Sequence, residues 1–388
     1  MLITNDVLSE RICIYMKITI LALHLGYGGI EKFVCNIANM FIKENNVEIV
    51  SVYKLYDKPP FYVDEKIKIT YLLEDLKPNR TEFYNSIKSF NIIEFLKQTY
   101  KSLKILYLKR YRMKKAVKDI GDGAVISTIY AHNKLISKYC KKSIKKVATE
   151  HNYNDNNKTY IKKVINSCKN IDYLIIASKQ LSEIYYNKMK NCKVINIPLS
   201  LDYIPDKVSK LNKKNITYIG RLSKEKCVID LIDIFKEIYK KDSEAILNII
   251  GDGEEKSNII VRIEENNLSE NIILHGYKSK SEIEKILLET SIGINTSYTE
   301  SFGLAILETF SYGIPCVAFD SAEGMREIIS NGKDGYIIPN RDFSMMADRI
   351  LELINDSDKL KEFGGFAREK SLQYETDKIK LKWYNILK

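Results

Sequence analysis

From about residue 16 onward, short apolar runs alternate with longer amphipathic runs along the chain. Apolar runs of about four to eight residues between polar turns are typical of buried strands, and the amphipathic runs indicate helices that cover them. The alternation predicts an α/β fold whose parallel sheets are covered on both faces. We predict a first series of strands near 17–23, 48–53, 67–72, 123–129, 145–150, 172–177 and 193–197, with helices over 29–44 and 80–118.

A second series follows segment 198–205, in which two prolines around a polar patch favour an interdomain linker. Its strands are predicted near 215–219, 245–250, 271–275, 291–296, 315–319 and 335–338, before a helical tail over 342–388. We therefore predict an N-terminal domain over 1–199 and a second domain over 200–370. Two doubly wound sheets in tandem leave a cleft at the carboxyl ends of their strands, where ligands of such sheets bind.

The net charge of +11 is unevenly distributed. Residues 1–199 hold 34 Lys and Arg against 18 Asp and Glu, whereas residues 200–388 hold 27 against 32. Segment 95–118 has nine basic residues and no acidic one, interleaved with Leu96, Tyr100, Leu103 and Tyr107 at helical spacing. This composition fits the surface of an anionic membrane, and it equally fits a solvated basic helix.

Other global features bear on where the protein works. The sequence has no run of about 18 apolar residues and no basic-then-apolar leader, so we expect a cytoplasmic protein that neither spans a membrane nor is secreted. Residues 1–15 precede Met16 and are expected to be an upstream start or a frayed leader. The seven cysteines are scattered, without a C-x-x-C pair, which argues against a disulfide framework or a zinc site.

The pair Glu300 and Glu308 lies eight positions apart around a predicted helix N-terminus near Ser301. Free backbone amides and a partial positive charge at such a terminus favour a phosphate group. Ser301, Leu304 and Glu308 would share one face of this helix, while Glu300 stays on the preceding loop. The arrangement suits a nucleotide-sugar donor, and the alternative is an ordinary capped helix with a charged face.

A second motif, Gly-Arg-Leu-Ser-Lys-Glu-Lys over 220–226, follows the first strand of the second series. Arg221 and Lys226 are the candidate catalytic cations that would neutralise a departing diphosphate. The Asp-x-Asp triplet at 356–358, a pattern that elsewhere holds a metal, is predicted to cap a helix instead. We expect no metal ion and no cofactor.

Three motifs together carry a family resemblance. Gly-Arg-Leu-Ser-x-Glu-Lys at 220–226, Glu-x7-Glu at 300–308 and Gly-x-Pro-x-Val at 313–317 resemble, in this order, the C-terminal half of the family 4 retaining glycosyltransferases of GT-B fold. The resemblance implies two Rossmann-like domains facing a central cleft and a terminal helix, 371–388, that crosses back to the first domain. Trp383 would pack this helix. A UDP-sugar is the donor expected, with GDP as the alternative.

The resemblance also implies residue roles. Glu300 would contact the donor sugar, Glu308 would accept hydrogen bonds from the ribose, and His132 would approach the donor sugar. His151 resembles a cleft histidine on the acceptor side. The remaining donor-binding positions are the Gly28–Gly29 loop, the 301–304 segment (Ser301, Phe302, Gly303, Leu304), the Gly251 and Gly253 loop, and the Gly276–Tyr277 loop.

The reaction implied is transfer of a sugar with retention of configuration, in the assembly of a cell-surface polysaccharide or glycolipid. No residue stands out as a covalent nucleophile, so we hypothesise a front-face substitution. The acceptor is expected to be a saccharide, carried on a polyprenyl lipid. Two other classes remain open: a GT-B nucleotide-sugar epimerase, and a basic nucleic-acid-binding protein, although the sequence lacks the motifs of the latter.

Overall fold

The computed structural model describes residues 15–152, 157–320 and 323–388. The interpretation of residues 1–15 falls outside these ranges except for Tyr15, and Cys13 is also outside them. The six cysteines within them are free thiols. In the same ranges, no helix has both the length and the apolar character needed to cross a bilayer.

The first lobe is built on a parallel sheet. Its strands are β1 (Lys17–His24), β2 (Asn46–Tyr53), β3 (Lys68–Leu73), β4 (Ala124–Ser127), β5 (Lys145–Glu150), β6 (Tyr173–Ile176) and β7 (Lys193–Asn196). Its helices are α1 (Gly29–Ile42), α2 (Arg80–Lys88), α3 (Ile92–Asp119), α4 (Tyr130–Tyr139), α5 (Lys158–Ser167) and α6 (Lys179–Tyr186). The strand order is β3-β2-β1-β4-β5-β6-β7.

The second lobe repeats this architecture. Its strands are β8 (Asn215–Ile219), β9 (Ile246–Ile250), β10 (Ile272–Gly276), β11 (Ile292–Asn295), β12 (Cys316–Phe319) and β13 (Gly335–Ile338). Its helices are α7 (Val228–Lys241), α8 (Lys256–Glu265), α9 (Lys280–Leu287), α10 (Leu304–Ser311), α11 (Glu323–Ile328), α12 (Phe343–Asn355) and α13 (Ser357–Ser371), and α14 (Thr376–Leu387) ends the chain. The strand order is β10-β9-β8-β11-β12-β13.

The predicted fold class is confirmed, and every predicted strand is present with its ends shifted by two residues or fewer. The apolar runs made these strands recognisable because a sheet with helices on both faces buries successive side chains. Ile18, Ile20 and Leu21 of β1, for example, have no exposed surface.

Two helix predictions were wrong in detail. The single helix over 80–118 is two helices, because Phe90 takes a positive φ of 52° and the Asn91 side chain then caps α3 by accepting from the Glu94 amide. The helix predicted near Ser301 begins at Leu304, because Gly303 before it has a left-handed φ of 96°. Ser301 therefore shares no helical face with Glu308.

The terminal helix α14 packs on α1 of the first lobe. Trp383 is 1% exposed, and its ring lies 6.3 Å from the Phe33 ring and 6.5 Å from the Phe41 ring, as expected for a side chain that packs this helix. The backbone between the lobes is tied to the same region, since the Leu201 amide donates to the Tyr374 carbonyl at 2.9 Å. The segment predicted as a linker is thus anchored.

Each sheet has one point where the strand order reverses, between β1 and β4 in the first lobe and between β8 and β11 in the second. Loops that leave the carboxyl ends of such neighbouring strands diverge to opposite faces of the sheet, and the gap between them is the usual ligand site of an open α/β sheet. The predicted site residues that follow β1, β8 and β11 therefore lie at these two reversal points.

Candidate active site

Two loops meet at the reversal point of the second lobe. The loop after β8 carries Lys226, and the loop after β11 carries Tyr298 and Glu300. Backbone contacts join them: the Tyr298 amide donates to the Glu225 carbonyl at 2.8 Å, and the Thr296 hydroxyl donates to the Lys226 carbonyl at 3.0 Å. The two sequence motifs are thereby held in one fixed arrangement.

The side chains of Lys226 and Glu300 form an ion pair across this gap, with Nζ 2.6 Å from Oε2. Both are largely shielded, at 21% and 20% side-chain exposure, so solvent screens the pair less than a surface salt bridge. Sequence reasoning gave the two residues separate roles, on the phosphate and on the sugar. The structure brings them into direct contact.

Arg341 supports the same loop and was missed by sequence reasoning. Its Nη2 donates to the Asp230 carboxylate at 2.6 Å and to the Thr296 carbonyl at 3.0 Å. Its guanidinium also stacks on the Tyr298 ring, 4.0 Å from the centroid. Arg341 follows a strand with no recognisable motif around it, so only the folded arrangement reveals that it buttresses the loop that carries Glu300.

The N-terminus of α10 points its backbone into this gap. Within the described ranges, the amides of Gly303 and Leu304 make no hydrogen bond, whereas the Ile306 amide already donates to the Gly303 carbonyl at 3.0 Å. Phe302 faces the other way, because its side chain is 2% exposed and belongs to the core beneath α10. Ser301 is half-buried on the loop beside Glu300. The open amides can donate hydrogen bonds to an anion.

The glycines after β9 have a packing role. A Cβ at Gly251, whose φ is 139°, would overlap the Gly220 carbonyl oxygen, and a Cβ at Gly253 would overlap the Leu222 carbonyl oxygen. These two glycines let the loop after β9 lie directly on the loop that carries Arg221. Their predicted contact with the donor stays a prediction.

The loop after β10 reaches across the cleft. Gly276 has a φ of 67°, and the following Tyr277 ring stacks on the Tyr27 ring of the first lobe, with centroids 4.1 Å apart. Burial raises the pKa of the Tyr277 hydroxyl. Tyr277 and Tyr27 therefore form an aromatic contact between the lobes at the edge of the predicted nucleotide pocket.

Arg221 also spans the two lobes. Its Nη2 donates to the Tyr27 carbonyl at 3.2 Å. A Cβ at Gly28 would lie 3.1 Å from the same Nη2 and would overlap the Glu31 carboxylate, so glycine at 28 lets the guanidinium approach this loop. Gly29 opens α1, and a Cβ there would meet nothing within 4 Å. The predicted glycine loop and the predicted catalytic arginine are thus neighbours.

Lys32, in the first turn of α1, is a second residue that sequence reasoning missed. Its ammonium pairs with the Glu308 carboxylate of α10 across the cleft. Burial lowers the pKa of the Lys32 ammonium, an effect that the nearby Asp202 carboxylate opposes. A lysine inside a helix gives no signal of a partner 276 residues further along the chain, so this contact could not be predicted.

His151 follows β5 and lies against α1. Its ring is 4.5 Å from the Phe33 ring, and its Nε2 is 2.7 Å from the Thr149 hydroxyl. Burial lowers the pKa of His151 to about 4, so the ring is neutral at neutral pH. This position at the carboxyl end of a first-lobe strand is the one that the sequence indicated. A role toward the acceptor stays a prediction.

His132 lies in the first turn of α4 and is 2% exposed. Both ring nitrogens are buried without a hydrogen-bond partner among the described residues. Burial, with a smaller effect from Lys109, lowers the pKa of His132 to about 3, so the ring is neutral at neutral pH. A role of this neutral ring toward the donor sugar stays a prediction.

The Asp-x-Asp triplet caps a helix as predicted, since the Asp356 carboxylate accepts from the Lys359 amide at 3.0 Å at the start of α13. Across residues 15–152, 157–320 and 323–388, no three carboxylate, histidine or cysteine side chains cluster closely enough to hold a metal ion.

Comparison with known proteins shows what the second lobe is similar to. Residues 202–370 match the family described as "Glycosyl transferases group 1". A poly(ribitol-phosphate) alpha-N-acetylglucosaminyltransferase of Staphylococcus aureus (strain COL) is 35% identical over 175 residues, which are 45% of this chain and 35% of that protein. The chain thus spans about a third of that relative's length.

An amylovoran biosynthesis glycosyltransferase, AmsD of Erwinia amylovora, is 24% identical over 93% of this chain and 96% of its own length. Among solved structures, a variant of S. aureus TarM in complex with Fondaparinux, alpha-GlcNAc-glycerol and UDP superposes with a TM-score of 0.75 at 19% identity. That match covers 96% of this chain and 99% of the TarM chain. The fold of the chain is GT-B.

The buried, neutral His132 generates a prediction about pH. Its pKa of about 3 in the folded protein lies below the ordinary value of 6.5. Between these two pH values the histidine binds a proton in the unfolded chain and does not bind one in the folded chain. The free energy of unfolding should therefore fall as pH drops below 6.5, by at most about 1.4 kcal/mol per pH unit from this group. His132→Leu should reduce this slope and leave nucleotide affinity unchanged.

Urea unfolding of both proteins between pH 4 and 7 measures the slope. An unchanged slope in His132→Leu would contradict the buried, neutral state of this ring, and a large loss of nucleotide affinity would show that the ring also supports the nucleotide.

Proposed function

We propose that this chain, whose second lobe matches the glycosyl transferases group 1 family, is a glycosyltransferase. It moves a sugar from a nucleotide-sugar donor to a saccharide acceptor in the synthesis of a bacterial surface polysaccharide or glycolipid. The observation that carries this proposal is the ion pair of Lys226 with Glu300 beside the open amides of α10, at the reversal point of the second sheet. In this proposal the gap offers a cation and a helix terminus to the diphosphate and a carboxylate to the sugar hydroxyls.

The diphosphate of the donor lies, in this proposal, at the α10 N-terminus between Arg221 and Lys226. The amides of Gly303 and Leu304 donate to phosphate oxygens, and the helix terminus favours their negative charge. Arg221 offers a planar fork to phosphate oxygens, whereas Lys226 offers a compact charge. These groups stabilise the leaving diphosphate most when it carries its full charge, which is the condition for accelerating the reaction.

The nucleoside lies, in this proposal, further along α10 than the diphosphate. Glu308 lies along the helix from the phosphate amides, and its carboxylate accepts hydrogen bonds from the ribose hydroxyls. Lys32 fixes one oxygen of that carboxylate from the first lobe, which leaves the other oxygen for the ribose. We propose uridine diphosphate as the nucleotide, a choice supported by the UDP bound to the TarM variant.

We infer a retaining, front-face substitution. The acceptor hydroxyl oxygen forms a bond to the anomeric carbon on the face from which the phosphate leaves. The bond between that carbon and the phosphate oxygen breaks, the electron pair departs with the phosphate, and the hydroxyl proton passes to a phosphate oxygen. The Glu300 carboxylate is neutralised by Lys226, which weakens it as a nucleophile and suits it to hold a sugar hydroxyl.

The acceptor we propose is a saccharide on a polyprenyl lipid at the inner face of the cell membrane. His151 is neutral and lies half-buried beside α1, and in this proposal it faces the acceptor. A neutral imidazole can accept a hydrogen bond from an acceptor hydroxyl without introducing charge.

The phosphate site predicts separate effects on binding and turnover. Glu308→Gln removes a charged hydrogen-bond acceptor worth roughly 1.5–3 kcal/mol, so the Kd for UDP should rise about 10- to 100-fold. Arg221→Ala removes charge stabilisation that matters most in the transition state, so kcat should fall by about 10² or more. Titration calorimetry with UDP and turnover of UDP-sugars measure the two effects.

Arg349→Ala is the matched control, because Arg349 pairs with Glu352 within α12 and has no part in the proposed site, so both constants should stay unchanged. Wild-type Kd and kcat in both site variants would show that the donor binds elsewhere. A larger rise in melting temperature with GDP than with UDP would indicate GDP as the nucleotide instead.

The ion pair between Lys32 and Glu308 predicts that substitutions at these two positions have coupled effects on UDP binding. If Lys32 orients Glu308, then Lys32→Met should weaken UDP binding about as much as Glu308→Gln, and the double variant should lose little more. The loss should also shrink for 2′,3′-dideoxy-UDP, which has no ribose hydroxyls for Glu308. Lys241→Met, which breaks an exposed pair with Asp348, is the control. Additive losses in the double variant would contradict the coupling.

A further inference from the structure

Helix α3 has an apolar face that no described residue covers. Its inner face is buried through Ile105, Met113 and Val117. The opposite face carries large apolar side chains that are each between 55% and 80% exposed, namely Ile93, Leu96, Tyr100, Leu103, Tyr107 and Tyr111. At 3.6 residues per turn these positions fall on one stripe along the helix.

The apolar surface continues past the start of the helix. The turn between α2 and α3 presents Phe90, which is 93% exposed, and Ile92, which is 73% exposed. Phe90 takes a positive φ of 52° in this turn. Contiguous apolar surface of this kind on a folded domain marks an interaction site.

Cations border the stripe. Lys97 and Lys104 lie on one side of it and Arg110 on the other, while Lys115 and Lys118 continue the face toward the end of α3; all five residues are exposed. Segment 95–118 has no acidic residue. The outward face is therefore both apolar and strongly positive.

An outward face that is both apolar and positive favours one kind of binding partner over the others. A second copy of α3 would set cations against cations, and a nucleic acid would use the cations but leave the leucines and tyrosines in water. An anionic bilayer satisfies both, because apolar and aromatic side chains enter the boundary between headgroups and acyl chains while lysines meet the lipid charge.

We propose that α3, with the Phe90 turn, is a membrane-docking surface that lies flat on a bilayer containing anionic lipid. The helix is about 40 Å long, so its whole stripe can lie in the plane of the interface. Docking would hold the first lobe, and the cleft beside it, at the surface where a lipid-borne acceptor resides. This inference goes beyond sugar transfer, and its test uses no nucleotide.

The test is co-sedimentation of the full chain with vesicles of phosphatidylcholine alone and of phosphatidylcholine with phosphatidylglycerol. We expect binding to the second kind only, weakened by salt. Each cation removed should lower the partition constant roughly fivefold, so Lys97→Gln, Lys104→Gln and Arg110→Gln together should lower it roughly 100-fold. Leu96→Ser with Leu103→Ser should abolish pelleting, whereas Val261→Ser with Leu381→Ser, two exposed apolar positions elsewhere, should not.

Each other outcome overturns the proposal. Equal pelleting with both vesicles would remove the role of charge, and no pelleting of the wild type would remove the membrane. A dimer in light scattering that Leu96→Ser with Leu103→Ser dissolves, without vesicle binding, would assign the face to a second copy. If a variant melts below the wild type, the salt titration of wild-type binding to the phosphatidylglycerol vesicles decides alone.

Discussion

The ion pair between Lys226 and Glu300 joins two loops that leave opposite sides of the break in the second sheet. Without this contact each loop would present one unpaired charge, positive on Lys226 and negative on Glu300. With it, the Glu300 carboxylate and the amides of Gly303 and Leu304 keep a fixed arrangement. Arg341 supports the same loop through Thr296 and Tyr298. The proposed binding of a sugar-bearing diphosphate depends on this arrangement, because a preorganised site need not reorient its dipoles as charge develops.

The first lobe completes the site through the start of α1. Within a few residues this segment supplies the Tyr27 carbonyl to Arg221, the Tyr27 ring to Tyr277 and the Lys32 ammonium to Glu308. The same helix is held from behind by α14, whose Trp383 packs on Phe33 and Phe41. Helix α14 at the end of the chain therefore fixes the position of α1, which reaches into the cleft. In this way a segment distant in sequence supports the proposed donor site.

Some parts of this arrangement could be predicted from the sequence, and others could not. Strands such as β1 were evident because a doubly covered sheet needs continuous apolar runs. The ordered motifs placed Arg221 and Glu300 on loops after strands and Glu308 on the helix that follows. Cross-lobe partners such as Lys32 left no local pattern, since a contact between α1 and α10 depends on how the lobes pack. The burial of His132 could not be predicted either, because its place after a strand does not show how far the first turn of α4 shields its ring from solvent.

The central claim is that the nucleotide lies between the lobes with its diphosphate at the α10 N-terminus. The most direct measurement is a crystal structure of the protein with UDP. The account predicts phosphate oxygens within hydrogen-bonding distance of the Gly303 and Leu304 amides and of Arg221, with the ribose on Glu308. Nucleotide density away from this gap, or phosphates held by groups of the first lobe alone, would contradict it.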